Sequence, residues 1–345
     1  MKPTIDDIAK KAGVSKATVS RVLNDKSEGV SEATRVRIKA LIQELAFQPC
    51  AVARGLATGK SRSVGLIIPD IANPFYPPLV RGIESALFKR GYGLFLCDSD
   101  KDVGKEKEHI RSLLEKRVDG VILSSVISDC DCQLDLLEER GTPFVLLDRI
   151  IETRKGGAAV YLDNRRGAKI ATDHLIRRGV SRLLFINGPE DLALSKLRLL
   201  GVQEAWNEGP GERKPIILRH GDYTATSGES IVVELLEGTG GKPHFNGIFA
   251  ANDMMALGAL RTLKKWKIRV PQDVGLVGFD DVEAAQYVDP PLTTIAQPTF
   301  EMGKKGAELL LRLMDGEKPR KRIVVMEPRL VIRGSTGDIT YSIGG

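Results

Sequence analysis

Thr4-Ile5-Asp6-Asp7-Ile8-Ala9-Lys10-Lys11-Ala12-Gly13-Val14-Ser15-Lys16-Ala17-Thr18-Val19-Ser20-Arg21-Val22-Leu23 reads as two short helices joined by a tight turn. Thr4 is placed to cap the first helix, Asp6 and Asp7 suit its positive end, and Gly13 stops it. The second helix, Lys16 to Leu23, turns Val19, Val22 and Leu23 inward and leaves Lys16, Ala17, Thr18, Ser20 and Arg21 outside. A third begins after the cap Ser31, and Val36, Ile38, Leu41, Ile42 and Leu45 form its apolar stripe, closing a three-helix core. Two helices across a short Gly-containing turn make a helix-turn-helix. Arg21 can pair bidentately with a guanine, Lys16 reaches guanine or phosphate, and Ser15, Thr18 and Ser20 suit phosphate oxygens.

Charge supports that reading. Residues 1–62 carry 12 Lys/Arg against six Asp/Glu, so the whole formal charge of +6 sits in the first fifth of the 345-residue chain. Such asymmetry is expected where one small module meets a polyanion. No window approaches the roughly 20 apolar residues of a membrane span, and Met1-Lys2-Pro3 leads into a polar helix, so a cytoplasmic protein without a membrane partner is expected. The cysteines (50, 97, 130 and 132) and histidines lack paired zinc spacing; Cys130-Asp131-Cys132 reads as reduced thiols, and neither metal nor cofactor is expected. Gly55-Leu56-Ala57-Thr58-Gly59-Lys60-Ser61 is one residue short of a P-loop and precedes its strand instead of following it.

From Val64 onward apolar runs alternate with helical patterns. Strands are expected at 64–68, 94–97, 120–123, 144–147, 183–186, 248–250 and 274–277, and helices at 79–89, 105–116, 165–177, 254–266 and 300–314. The alternation implies an α/β core with parallel sheets, long enough for two lobes. Polar and aromatic residues gather just past the strands, at 70–76, 98–102, 148–149, 252–253, 279–281 and 297. Ligands of such folds bind beyond those strand ends, and this mixture of planar polar groups and rings suits a sugar. No nucleophile–base pair is readable, so an enzyme is not expected.

The opening stretch through Asn24 resembles the headpiece of the lactose/galactose (LacI/GalR) repressor family. Pro49-Cys50-Ala51-Val52-Ala53-Arg54-Gly55-Leu56-Ala57 resembles its hinge helix. The core resembles the periplasmic sugar-binding-protein fold joined to these repressors, through Asn73-Pro74-Phe75-Tyr76, Arg117-Val118-Asp119-Gly120, Ala251-Asn252-Asp253-Met254, Gly278-Phe279-Asp280-Asp281 and Pro291-Leu292-Thr293-Thr294-Ile295. The resemblance implies a headpiece over 1–48, a hinge over 49–61, a two-lobed core over 62–335 and a tail over 336–345. Lobe one would hold about 62–160 and 292–321, and lobe two about 161–291 and 322–335.

By the same resemblance Thr4, Ser15, Lys16, Ala17, Thr18, Ser20, Arg21, Asn24, Ala53 and Leu56 contact DNA, with Leu56 as an apolar wedge in the minor groove. Asn73, Phe75, Asp148, Arg149, Arg198, Tyr223, Asn252, Asp280 and Gln297 fall at effector positions. Asp148-Arg149 with Asn73-Pro74-Phe75-Tyr76 looks most like the ribose-operon branch, which carries Asn and Arg where this chain has Lys101 and Lys196. The implied protein is a repressor whose affinity for a pseudo-palindromic operator is set by ribose or a related pentose. The alternative is a catabolite-control-type regulator with a phosphocarrier protein as co-effector. A homodimer is implied, joined through helices near Leu79–Leu87 and Ile110–Leu114, and the tail shows no heptad for a tetramer.

Overall fold

The computed structural model describes residues 3–23, 29–47, 59–124, 132–148 and 157–337. Asn24, Ala53, Leu56 and Arg149, together with most of the expected hinge and tail, lie outside the described residues. The chain divides into units at 1–62 and 63–345.

In the first unit α1 (Ile5–Ala12), α2 (Lys16–Leu23) and α3 (Glu32–Glu44) fall where their caps put them. Thr4 Oγ1 accepts from the Asp7 amide at 3.3 Å while the Asp7 carboxylate accepts from the Thr4 amide at 2.8 Å, a reciprocal cap. Gly13, at φ +65°, ends α1 with its N–H on the carbonyls of Ala9 and Lys10. Ile8, Ala9, Ala12, Val19, Val22, Ile38 and Phe47 make the buried core. Val36 departs from the expected stripe and is 58% exposed. Two positions along a helix turn it by roughly 200°, so Val36 and Ile38 cannot share a face. Phe47 joins the core instead, its N–H donating to the Ile42 carbonyl as the chain folds back beyond α3.

The second unit runs β1 (Ser63–Ile68), α4 (Tyr76–Phe88), β2 (Gly93–Asp98), α5 (Val103–Glu115), β3 (Gly120–Leu123), α6 (Cys132–Glu139), β4 (Phe144–Leu147) and β5 (Gly157–Leu162). It continues through α7 (Asn164–Arg177), β6 (Leu183–Asn187), α8 (Ala193–Glu208), β7 (Ile217–His220), α9 (Ala225–Glu237), β8 (Gly247–Ala250), α10 (Asp253–Lys265) and β9 (Gly275–Asp280). Last come β10 (Thr293–Ala296), α11 (Thr299–Met314), β11 (Ile323–Met326) and β12 (Arg329–Val331). The strands form two six-stranded sheets, β11-β5-β4-β3-β1-β2 in lobe one and β12-β10-β9-β8-β6-β7 in lobe two. Every pairing is parallel except β10 with β12.

The chain therefore passes between lobes after β5, after β10 and between β11 and β12. The first two passages come a few residues later than the expected 160/161 and 291/292. The third falls after residue 326, not after 321, because β11 adds to β5 at the edge of sheet one. In lobe one α4 and α11 lie against each other through glycines: a Cβ on Gly82 would stand 2.1 Å from the Phe300 carbonyl oxygen, and one on Gly303 2.1 Å from that of Leu79. This closeness buries one apolar face of α4, while α5 packs its own apolar face on Val121, Leu134, Leu137 and Phe144. Leu79, Ile83, Leu87, Ile110 and Leu113 are all buried within their own lobe. Phe88, Phe95, Leu96 and Val103 are apolar side chains left exposed on and beside the edge strand β2. No helix among the described residues is long and apolar enough to cross a membrane.

Candidate functional site

On the first unit the outward face of α2 presents Lys16, Ala17 and Arg21 to solvent, with Thr18 and Ser20 half-buried beside them and Thr4 and Ser15 exposed at the helix starts. Two of the hydroxyls already have work: Ser15 Oγ accepts from the Thr18 amide at 3.2 Å and lies 3.0 Å from Thr18 Oγ1, capping α2. Lys16 is held by Asp6 at 3.1 Å, an exposed pair that keeps the Asp6 carboxyl below its ordinary range. Such a pair contributes little stability, so Lys16 can exchange it for phosphate or guanine.

On the second unit the parallel strands of both lobes end on one cleft. From lobe one, Asn73 Oδ1 accepts from the Phe75 amide at 3.0 Å, and the buried Phe75 and Tyr76 rings meet edge to face at 5.0 Å between centroids. Asp148 follows β4 in a left-handed conformation at φ +52°. One of its oxygens, Oδ1, is buried with no hydrogen-bond partner among the described residues.

From lobe two, Arg198 on α8 is buried; its Nε donates to Asn164 Oδ1 at 2.8 Å and one terminal nitrogen to the Ala251 carbonyl at 2.7 Å. Its guanidinium lies 4.1 Å from the Phe279 ring centroid and 6.0 Å from that of Tyr223. Tyr223 Oη is 3.1 Å from Ser195 Oγ, and the ring sits over Gly188, where a Cβ would stand 2.1 Å from that hydroxyl. Asp280 ends β9 and accepts from Gln297 Nε2 at 2.7 Å, which leaves Gln297 Oε1 buried without a partner among the described residues.

Asn252 is tied into the wall of the cleft at both ends of its side chain. Its Oδ1 caps α10 by accepting from the Met255 amide, and its Nδ2 donates to the Tyr223 carbonyl, both at 2.9 Å. Both ends of the carboxamide are used in shaping the wall that carries Tyr223. Lys196 is exposed on α8. Sequence reasoning missed Gly188, Ser195 and above all Asn164, which joins Arg198 to the passage between lobes.

Burial governs the electrostatics. Desolvation pushes the Asp148 carboxyl up, opposed by the Arg198 charge and the Asn164 amide. Desolvation, followed by the neighbouring Asp253, pushes Asp280 well up against the pull of Arg198 and Gln297. Burial likewise raises the Tyr76 and Tyr223 phenols, which stay neutral donors. The cleft thus gathers buried acceptors and donors of both kinds, a surface suited to hydroxyls. No group of side chains that could hold a metal ion occurs among the described residues.

Residues 4–50 match the family of bacterial regulatory proteins of the lacI type, and residues 172–336 match the periplasmic binding protein-like domain. The chain is 36% identical to the transcriptional repressor PurR of Aliivibrio salmonicida, over 96% of this chain and 98% of that one. It is 38% identical to the transcriptional regulator RegA of Clostridium saccharobutylicum, over 97% and 100%. Among solved structures, the lac repressor dimer bound to operator and the anti-inducer ONPF superposes with a TM-score of 0.85, at 30% identity over 97% of this chain and 99% of that one. A lacI-family regulator from Enterococcus faecium with bound ribose gives 0.70, at 31% identity over 81% and 100%.

Proposed function

Because this chain belongs to the lacI family of bacterial regulatory proteins and is a DNA-binding repressor governed by a small effector, we propose that the effector is a neutral sugar of pentose size, ribose or a near relative. The observation that carries this reading is the pair of buried acceptors, Asp148 Oδ1 and Gln297 Oε1, without partners among the described residues. A buried acceptor left without a donor is destabilising, and adjacent ring hydroxyls supply donors to both. Arg198 and Asp280 offer the complementary donors and acceptors, and Phe75 and Tyr223 offer flat faces to the C–H side of a small ring. The pentose assignment is further supported by the Asp148-Arg149 pair and by the ribose held by the Enterococcus faecium regulator.

In the cytoplasm a homodimer places one α2 in each half of a pseudo-palindromic operator, where Lys16, Ala17 and Arg21 read bases. Phe88, Phe95, Leu96 and Val103 form the apolar surface for the second copy, since Leu79, Ile83, Leu87, Ile110 and Leu113 on α4 and α5 are already buried. Effector and operator then oppose each other through a coupling of about 1–3 kcal/mol, and the effect is reciprocal.

The test is a thermal-shift and operator-affinity panel on the full chain at fixed salt, with pentoses, hexoses, their phosphates and nucleosides. A pentose is expected to raise the melting temperature and weaken operator binding. Stabilisation by a nucleoside or a hexose alone overturns the pentose. Stabilisation by no small molecule, with tightening by a phosphocarrier protein, turns the reading to the catabolite-control type.

A further inference from the structure

We propose that Lys101 is a latch that holds the two lobes together at the mouth of the cleft and so sets how long the effector stays bound. Lys101 follows β2 in lobe one, and its ammonium donates across the mouth to the main-chain carbonyl of Asp222 in lobe two at 3.2 Å. On its own side it rests 3.6 Å from the Asp70 carboxylate. The latch is therefore a charged donor anchored in one lobe and spent on a main-chain acceptor of the other.

Both ends are built to hold position. Asp100 and Lys101 adopt left-handed conformations at φ +52° and +58°, which side-chain-bearing residues keep only where their surroundings fix them. The fixing contacts are present: Asp98 accepts from the amides of Asp100 and Ile71 at 3.0 and 3.1 Å, and the Lys101 amide donates to the Pro69 carbonyl at 2.9 Å. Across the mouth, Asp222 Oδ1 accepts from the Thr224 amide and hydroxyl, and the Asp222 amide donates to Ser227 Oγ. Between Asp222 and Thr224 stands Tyr223, at φ +69°, the aromatic wall of the cleft. Gripping Asp222 is gripping the loop that carries that wall.

The same contacts decide against an alternative use of Lys101 as a receptor for a phosphate ester. Its charge is matched by Asp70 and also acts on the Asp222 carboxyl, which burial pushes up but the Thr224 and Ser227 bonds, helped by Lys101, hold below its ordinary range. Lys105, the next cation on the rim, is bound to Asp100 at 3.0 Å. An incoming phosphate would have to displace carboxylates from both.

The inference rests on the proposed effector site but its test separates the two. Hydrogen exchange is measured on the full chain without ligand for wild type, Lys101→Met and Lys101→Arg. Faster exchange of the amides at Asp222–Thr224 in Lys101→Met, restored in part by Lys101→Arg, is expected, because a residue that merely ordered its own loop would leave lobe two unchanged. Calorimetry and stopped flow with ribose are expected to give about five- to tenfold weaker binding for Lys101→Met, mainly through faster dissociation, with ribose 5-phosphate binding no tighter than ribose in either protein. Unchanged exchange in lobe two overturns the latch, as does a loss confined to ribose 5-phosphate. Altered exchange with no ribose binding in the wild type leaves the latch standing and removes the pentose.

Discussion

On α2 the outward residues Lys16, Ala17 and Arg21 stand in water, and Lys16 shares with Asp6 an ion pair exposed on both sides. In the cleft Arg198 and Asp280 are 3% and 7% exposed and already tied to Asn164, Ala251 and Gln297. Groups of the first kind meet a ligand by giving up water and mobile ions, so each contributes separately and salt screens the sum. Groups of the second kind were desolvated when the protein folded, so a ligand bound among them would only complete a network. Loss of one member is then felt by the others, and salt matters little.

The widest separation between the two is expected from Asp280→Ala. It removes the acceptor of Gln297 and one wall of the cleft, so effector affinity should fall about 100-fold or more while ligand-free operator affinity stays within about twofold. Filter binding and calorimetry on the same preparation check this, and parallel losses in both would erase the distinction. Arg21→Ala works in the opposite direction. It should weaken operator binding by about 1–3 kcal/mol and relax preference at one base pair, with effector binding untouched. A double mutant should show the operator affinity of Arg21→Ala and the effector affinity of Asp280→Ala if the two changes act separately at equilibrium.

A pH experiment probes the desolvated side further. Asp253, beneath the cleft, accepts from Thr294 Oγ1 at 2.6 Å and the Val282 amide at 2.9 Å, yet burial raises its carboxyl from 3.8 to about 7. A raised carboxyl favours the folded state fully below its unfolded value, and that advantage is lost as pH rises through the folded value. Asp253→Asn, neutral at every pH, should therefore gain in melting temperature relative to wild type between about pH 4 and about pH 7. A constant difference across that window would mean the carboxylate is already well accommodated. The smallest effect belongs to the solvated side. Asp6→Asn frees Lys16 and should tighten operator binding about two- to threefold at low salt, a gain that disappears at high salt.

The same contrast governs what the sequence discloses. Thr4, Asp7, Gly13 and Ser31 act within three or four residues of themselves, so the headpiece helices can be read with their ends. Lobe-one strands such as β3 and β4 are fully buried apolar runs and were equally legible. β5, β7, β10, β11 and β12 were not: β5 (Gly157–Leu162) and β10 (Thr293–Ala296) are buried but built largely of Gly, Ala and Thr in place of a bulky apolar run, β7 (Ile217–His220) carries Arg219 and His220, and β11 exposes Ile323 and Val325 at its sheet edge. In the cleft, Asp148, Arg198, Tyr223, Asp280 and Gln297 are indeed brought together, but resemblance supplied their selection. Asn164 gave no local signal, since its partners Arg198 and Asp148 stand far along the chain. Nor did Lys101 disclose that its partner would be a main-chain carbonyl of the other lobe, which has no side-chain identity to read.

The interleaving of the lobes bears on how the protein is made. Lobe one lacks α11 and β11 until residue 326 has been added, and lobe two lacks β12 until residue 331, so neither is a contiguous stretch of chain. At roughly 5–20 residues per second, a ribosome takes about ten to thirty seconds to pass from the end of β5 to the strand that completes its sheet. Throughout that interval the β5 edge and the α4 surface that later receives Gly303 are uncovered on the nascent chain, whereas the headpiece already has all its helices. Emerging subunits can therefore hold a finished helix-turn-helix while their regulatory body is still open to chaperones, and a message cut short before β11 and β12 would yield those helices without a completed core.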